Sequence, residues 1–402
     1  MIGSVIVVGA GQTAAVAART LRRRGFDGGV LLIGEEHAPP YQRPPLSKEY
    51  LAGEETSEGL CLLPERWCAD NGVELRLGVR VVAVRAAERA VELADGSVLR
   101  AGALLVATGG RPRRLPGFEG ERVRYLRTMA DADRLREDLR PGARVVVVGA
   151  GFIGSEVAST ALARGADVTV IERAERPLAH VLGERMGGVL AALQRACGVD
   201  LRTGEAVRGY AETGRAAVVL TASGRAVEGD VVVVGVGTVP NVEPLQGSGV
   251  EVDDGVLVDE YCRTSVEGVY AAGDVARHHH PPTGRGIRVE HFDHASLHGM
   301  AAARSILGQR SPYSTPHWFW SDQFGRNLQY TGHASDGDEI VVRGDVEGFD
   351  FVAFYLDKGV LRAAFGIDRG GEVAAARQLI AARAEPDPAA LRDEDTDLTD
   401  LL

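Results

Sequence analysis

One arrangement of residues occurs twice, and it constrains the fold more than anything else in the chain. Val5-Ile6-Val7-Val8-Gly9-Ala10-Gly11-Gln12-Thr13-Ala14 leads into an Ala-rich helical stretch, Gly25, and then Val30-Leu31-Leu32-Ile33-Gly34-Glu35. Starting 140 residues later, Val145-Val146-Val147-Val148-Gly149-Ala150-Gly151-Phe152-Ile153-Gly154 leads through Glu156-Val157-Ala158 and Gly165 to Val168-Thr169-Val170-Ile171-Glu172. Each copy reads as a buried strand, a glycine turn, a helix and a second strand ending in an acid. That is the βαβ dinucleotide fingerprint. Gly9 and Gly149 allow the sharp turn, Gly11 and Gly151 leave room for a pyrophosphate, and Ala14 and Gly154 let helix and strand pack closely. The N–H groups opening each helix face the phosphates. Glu35 and Glu172 lie 21 and 18 residues beyond the third small position, close to the ~20 expected of a ribose-binding acid. A single copy is weak evidence, because ordinary βα turns are also glycine-rich. Two complete copies imply two dinucleotide sites. A carboxylate beside the ribose repels a 2′-phosphate, so Glu172 favours NADH over NADPH, with Arg173 and Arg176 just beyond to soften the preference.

Composition removes several alternatives. The 402 residues correspond to two or three domains at ~100–200 residues each. A net charge of −11 argues against nucleic-acid binding as the main business. Glycine, 51 of 402 residues, is well above the usual ~7% and is assigned to tight turns and close backbone approaches. Four cysteines (Cys61, Cys68, Cys197, Cys262) form neither a C-x-x-C pair nor a disulfide framework. The start of the chain reads as a strand rather than a signal peptide, and no run reaches the ~18 apolar residues of a membrane span. A cytoplasmic protein without membrane or nucleic-acid partners is expected, with no metal. Residues 385–402 hold seven acids and one arginine, which reads as a mobile acidic tail. The remaining body is nearly balanced, leaving room for an arginine patch that docks an acidic partner.

Two like sites suggest one bound flavin and one exchangeable nicotinamide. Leu104-Leu105-Val106-Ala107-Thr108-Gly109-Gly110-Arg111-Pro112 and Val231-Val232-Val233-Val234-Gly235-Val236-Gly237-Thr238-Val239-Pro240-Asn241 each end a sheet strand in a glycine turn and a proline, where the chain would cross between domains. Asp274 follows the strand Val269-Tyr270-Ala271 at the start of a helix, placed to accept a flavin ribityl hydroxyl. Only Lys48 and Lys358 are lysines among 45 basic residues, and a compact ammonium is not replaceable by a planar guanidinium.

Together these segments resemble the two-dinucleotide-binding-domain flavoproteins. Within that group the sequence resembles the FAD-dependent ferredoxin reductases serving oxygenases and cytochromes P450, over nearly its whole length. Arg43-Pro44-Pro45-Leu46-Ser47-Lys48, Tyr125-Leu126-Arg127-Thr128, Arg288-Val289-Glu290-His291 and Trp318-Phe319-Trp320-Ser321-Asp322-Gln323 carry the likeness. The resemblance implies an α/β chain with two Rossmann-like domains, for FAD (1–113 and 244–316) and NAD (114–243), a C-terminal α/β reductase domain (317–384) and the acidic tail (385–402). It implies flavin contacts at Gly9, Gly11, Thr13, Glu35, Arg43, Lys48, Val81, Arg127, Asp274 and Phe292, beside the turn residues Ala14, Ala107, Thr108 and Gly109. It implies nicotinamide contacts at Gly149, Gly151, Phe152, Ile153, Gly154, Glu156, Glu172 and Gly237. In the family Lys48 pairs with a carboxylate matching Glu156, and these two are the candidate catalytic pair. Phe152 is the candidate gate over the nicotinamide and Glu156 the residue that orients the carboxamide. Many relatives carry Trp-x-Asn where this chain has Phe292-Asp293-His294.

The activity implied is hydride transfer from NADH to FAD, then single electrons to an iron–sulfur ferredoxin (2Fe–2S or 3Fe–4S) from a monomer or homodimer. The alternatives are an NADH oxidase or diaphorase using oxygen or quinones, and a redox-dependent interaction protein resembling apoptosis-inducing factor. No cysteine stands in Tyr41-Gln42-Arg43-Pro44-Pro45, where NADH peroxidases and coenzyme-A-disulfide reductases carry their thiol, and Cys61 lies well downstream. His278-His279-His280 before Pro281-Pro282 reads as a solvated loop. His291, His294 and His298 share one helix face and read as helix surface or flavin-edge packing. Trp318 and Trp320 suit either flavin shielding and electron exit or plain core packing.

Overall fold

The computed structural model describes residues 2–214, 216–280 and 283–402. The chain forms two compact units: one from residues 1–43, 57–111 and 238–315, the other from 44–56, 112–237 and 316–402.

The first unit is organised around a five-stranded parallel sheet in the order Val269–Ala271, Ala103–Val106, Ser4–Val8, Gly29–Ile33, Val73–Arg76. Val5, Val7, Leu104 and Leu105 are at most 1% exposed. Strands covered on both faces need apolar residues at every position, so they read as unbroken hydrophobic runs. Helix Gln12–Arg23 packs on the sheet through Ala14, Ala17, Ala18 and Leu21, and helix Phe292–Ile306 adds Ala301, Ala302 and Ala303 to the same core. The two helices approach closely at Gly299, where a Cβ would stand 2.6 Å from the Thr13 carbonyl oxygen.

The second unit repeats the arrangement. Its parallel sheet runs Asp200–Arg202, Asp167–Ile171, Arg144–Val148, Val231–Val234, Val123–Arg124, with helix Phe152–Ala163 against it. In both sheets the fingerprint strand lies at the centre, with its βαβ partner on one side. A separate five-stranded antiparallel sheet follows in the order Trp318–Gln323, Arg326–Gly332, Val360–Ile367, Asp350–Asp357, Glu339–Asp345. Helix Gly370–Ala382 covers one of its faces, and Leu182, Met186 and Leu190 of helix Ala179–Ala196 cover the other.

Residues 44–56 pack with the second unit, not with the residues that flank them in sequence. Leu51 is fully buried against Leu135, Leu139, Val157 and Ala161. Arg164 Nη1 donates to the Ala52 carbonyl at 2.7 Å.

The acidic C-terminus is a correction to the expectation of a mobile tail. Residues Pro388–Arg392 form a helix and Leu398–Leu401 a 3-10 turn, with Leu391 and Leu398 buried in the core beside Val341, Val352 and Leu379. Much of the acidity serves as local capping. Asp387 accepts from Ala389 N and Asp397 from Thr399 N. Arg343 Nη2 donates to the Glu394 and Thr396 carbonyls at 2.9 and 3.0 Å. Two leucines spaced along a charged run hold it down.

No helix among the described residues is long and apolar enough to cross a membrane.

Candidate functional site

The two glycine turns have the geometry their spacing predicts. Gly9 (φ +116°) and Gly149 (φ +100°) adopt backbone conformations that side chains rarely allow. A Cβ on either would meet a carbonyl oxygen, Ala107 O at 2.2 Å or Gly235 O at 2.4 Å. Nothing lies within 4 Å of a Cβ built on Gly11, and for Gly151 only Gly235 O at 4.0 Å. The turn glycines are therefore required by the protein's own backbone, whereas the second glycines border open space beside a helix N-terminus. That is a cradle fitted to a pyrophosphate. The third position also behaves as read, since a Cβ on Gly154 would stand 2.0 Å from Gly149 O.

Around these turns the predicted residues separate by unit. In the first unit, Ala107 and Val81 are buried. Thr108 and Asn241 exchange two hydrogen bonds (2.7 and 3.0 Å), and Asn241 N donates to Gly109 O at 3.0 Å. Asp274 follows Gly273 (φ +77°), which lies against Thr13. Phe292 opens its helix. Arg43 pairs with Glu36 at 2.6 Å and lies over the Tyr41 ring. Glu35, the acid favoured by spacing, has a 70% exposed side chain 3.8 Å from Arg80. Its neighbour Glu36 is the acid that pairs with Arg43.

In the second unit, both Glu172 oxygens accept backbone N–H groups, from Ala150 and Ala174, each at 2.7 Å. The carboxylate is thereby fixed at the end of its strand, beside the glycine turn. Ile153 is exposed. Phe152 packs edge-on against Phe319 with ring centroids 4.5 Å apart. Gly237 (φ +98°) accepts from Arg113 N at 2.9 Å. Arg127 precedes the Thr128 capping box of helix Met129–Asp138.

The most concentrated chemistry surrounds Glu156. Lys48 Nζ lies 3.0 Å from Glu156 Oε1, with the two side chains 9% and 4% exposed. Ser321 Oγ donates to the same oxygen at 2.5 Å, and Ser47 Oγ donates to Oε2. Pro44–Ser47 form a 3-10 turn that presents Ser47 and Lys48, and Thr160 Oγ1 donates to the Ser47 carbonyl at 2.8 Å. The sequence motifs contained Ser47 and Ser321, yet neither was singled out. Their only signal was a hydroxyl at a position that turns out to be buried.

The histidines differ from expectation. His278–His280 are not a loop: they end strand Ala276–His280, with His278 and His280 buried and His279 exposed. His294 and His298 are also buried, so they do not form a helix surface. Pro281 and Pro282 lie outside the described residues. The rings of His278, His294, His298 and Tyr313 pack together, with His278 stacked on His294 and His298 on Tyr313, and nitrogens of the three histidines lie within 4.8 Å of one another. His298 Nδ1 accepts from Gly273 N at 3.1 Å, which puts the ring proton on Nε2. A cation arriving there would first have to displace that proton.

A pH dependence follows. Burial, with His280 adding to it, pushes the His298 imidazole down to about 3. An unfolded histidine titrates near ~6.5, so this contribution to stability is fully present above that pH. It falls by about 1.4 kcal/mol per pH unit as the unfolded chain takes up a proton that the folded one refuses. Denaturation at pH 7 and pH 5 is expected to give a shallower loss for His298→Gln, whose amide oxygen still accepts from Gly273 N. Parallel losses in variant and wild type would remove His298 from the effect.

Cys61 lies nearer the Tyr41 loop than its numbering suggests, since Tyr41 and Cys61 form an antiparallel bridge. All four cysteines are free, and burial pushes the Cys68 and Cys262 thiols up. Trp318 and Trp320 stack on each other at 5.4 Å, and Trp318 donates to Gln329.

Residues 3–299 match the family described as pyridine nucleotide-disulphide oxidoreductase, and residues 318–402 match the reductase C-terminal family. The chain is 40% identical over 401 residues to the ferredoxin–NAD(+) reductase component of an anthranilate 1,2-dioxygenase system from Burkholderia cepacia, covering 99% of this chain and 98% of that protein. It is 35% identical over 408 aligned positions to putidaredoxin reductase from Pseudomonas putida, covering 99% and 96%. The reductase in a covalent putidaredoxin reductase–putidaredoxin complex superposes with a TM-score of 0.95 at 35% identity, covering 99% and 98%. A water-forming NADH oxidase from Lactobacillus brevis shares the fold at 21% identity, with a TM-score of 0.88 over 98% of this chain and 94% of that one. With both glycine cradles in place and the relatives matching over almost the whole chain, this protein belongs to the pyridine nucleotide-disulphide oxidoreductases that carry the reductase C-terminal domain, the family of the ferredoxin–NAD(+) reductases.

Proposed function

We propose that the protein is an NADH-dependent ferredoxin reductase supplying a cytochrome P450 or Rieske-type oxygenase from the cytoplasm. The observation that carries this reading is the pair of pyrophosphate cradles on two like-ordered parallel sheets, in a chain without a thiol in the Tyr41–Pro45 loop. FAD, when bound, accepts a hydride from NADH and passes electrons on singly to an iron–sulfur partner. The chain's own residues bind and orient. Gly9, Gly11, Thr13 and Ala14 hold the flavin's pyrophosphate, and Arg43, Asp274 and Phe292 contact the rest of that cofactor, with Arg127 contributing from its own segment. Gly149, Gly151 and Gly154 hold the pyrophosphate of NADH, and Glu172 accepts from its adenosine ribose. Lys48 stands buried beside Glu156, which directs it. We assign residues 1–113 and 244–316 to FAD, 114–243 to NADH and 317–384 to the C-terminal reductase domain, followed by the packed acidic segment.

Reduction of an added 2Fe–2S ferredoxin, with NADH and with NADPH, tests this. The wild type is expected to prefer NADH, and Glu172→Arg to lower the NADH/NADPH ratio of kcat/KM at least tenfold (about 1.4 kcal/mol) by removing the repulsion of a 2′-phosphate. An unchanged ratio would take Glu172 away from the ribose, and absence of ferredoxin reduction would reject the function.

A further inference from the structure

Strand Trp318–Gln323 alternates buried and half-buried positions, and its buried face carries Phe319, Ser321 and Gln323. Two polar residues on a face that otherwise packs against apolar neighbours need a reason, because a buried polar group without a partner is costly. Here they form a chain. Gln323 Nε2 donates to Ser321 Oγ at 2.8 Å, and Ser321 Oγ donates to Glu156 Oε1 at 2.5 Å. With Ser47 Oγ on Oε2 and Lys48 Nζ 3.0 Å from Oε1, the carboxylate is held by three donors from two separate stretches of chain. Ser321 has no exposed surface, and Glu156 is 4% exposed. Nearby, Ser159 Oγ accepts from Phe324 N at 2.7 Å, which anchors the end of the strand to the helix bearing Glu156.

We propose that Ser321 is a positioning residue for hydride transfer: its hydroxyl, oriented by Gln323, fixes the Glu156 carboxylate and through it the Lys48 ammonium. This rests on the reductase reading above. Accepting from Gln323 directs the serine's own proton to Glu156, and the carboxylate can then neither rotate away from Lys48 nor take a water in place of the hydroxyl. The C-terminal sheet thereby sets the geometry of a pair carried by two other segments.

The composition supplies a direct probe. Lys48 and Lys358 are the only lysines, so holoprotein labelled at lysine Cε and Nζ gives one set of side-chain signals for each. Ser321→Ala is expected to move the Lys48 signals and leave those of Lys358 in place. It is also expected to slow flavin reduction at saturating NADH about tenfold, with the KM for NADH and the FAD content unchanged. Ser321→Thr keeps the hydroxyl on a residue suited to a strand and should restore both readouts. Unmoved Lys48 signals in Ser321→Ala beside normal wild-type turnover would overturn the role of Ser321 alone. Loss of Tm in both variants without rescue by threonine would overturn it too, leaving only packing. A wild type that does not reduce its flavin with NADH would sink the functional reading itself.

Discussion

Lys48→Ala is expected to slow flavin reduction by NADH far more than it lowers FAD content. The substitution leaves Glu156 buried with two hydroxyl donors and no counter-charge. Removing one member of a buried ion pair commonly costs ~3–5 kcal/mol, because the remaining charge stays out of water. The two serines should hold the loss of stability near the low end of that range. Lys48→Arg is not expected to restore the rate, since a planar fork cannot stand where a compact ammonium fits between a 3-10 turn and a helix. Thermal denaturation, flavin absorbance and rapid mixing with NADH separate the three effects. Equal reduction rates in Lys48→Ala and wild type would make the lysine purely structural.

The second large effect concerns Gly154. A Cβ there would lie 2.0 Å from Gly149 O and 3.1 Å from the carbonyl carbon, and neither atom can swing aside. Gly154→Ala must push helix Phe152–Ala163 off its strand. At ~1–3 kcal/mol for such overpacking, the KM for NADH should rise roughly 10–100-fold. FAD content should hold, because the flavin's glycine turn belongs to the other unit. Gly151→Ala is the informative contrast. Its Cβ meets no protein atom closer than 4.0 Å, so stability should survive while the pyrophosphate loses its approach. Normal NADH affinity in Gly151→Ala would argue against the cradle.

What the sequence revealed depended on how local the physics was. Both βαβ units were legible because a buried parallel strand, a glycine turn and an acid at fixed offset are set by neighbours in the chain. The pairing of Arg43 with Glu36, the neighbour of Glu35, was not, since adjacent side chains at a strand end diverge and their partners come from elsewhere in the chain. The run His278–His280 looked like a loop from its composition, but parallel pairing with Val256–Val258 makes it a strand with His278 turned into the core. The acidic segment looked mobile because charge dominates it, whereas Leu391 and Leu398 decide its fate. Ser47 and Ser321 stand 274 positions apart and meet only through the carboxylate of a third segment. No periodicity announces such a contact.

Electron flow from NADH through a flavin to an iron–sulfur protein is the function proposed for this chain. Anaerobic stopped-flow addresses it most directly: the protein is mixed first with NADH and then with oxidised 2Fe–2S ferredoxin or with oxygen. Rapid bleaching of the flavin by NADH is expected, followed by re-oxidation that is fast with ferredoxin and slow with oxygen. Re-oxidation by oxygen as fast as by ferredoxin would mark an oxidase, and a long-lived charge-transfer complex indifferent to ferredoxin would mark a redox-dependent interaction protein; either result contradicts it.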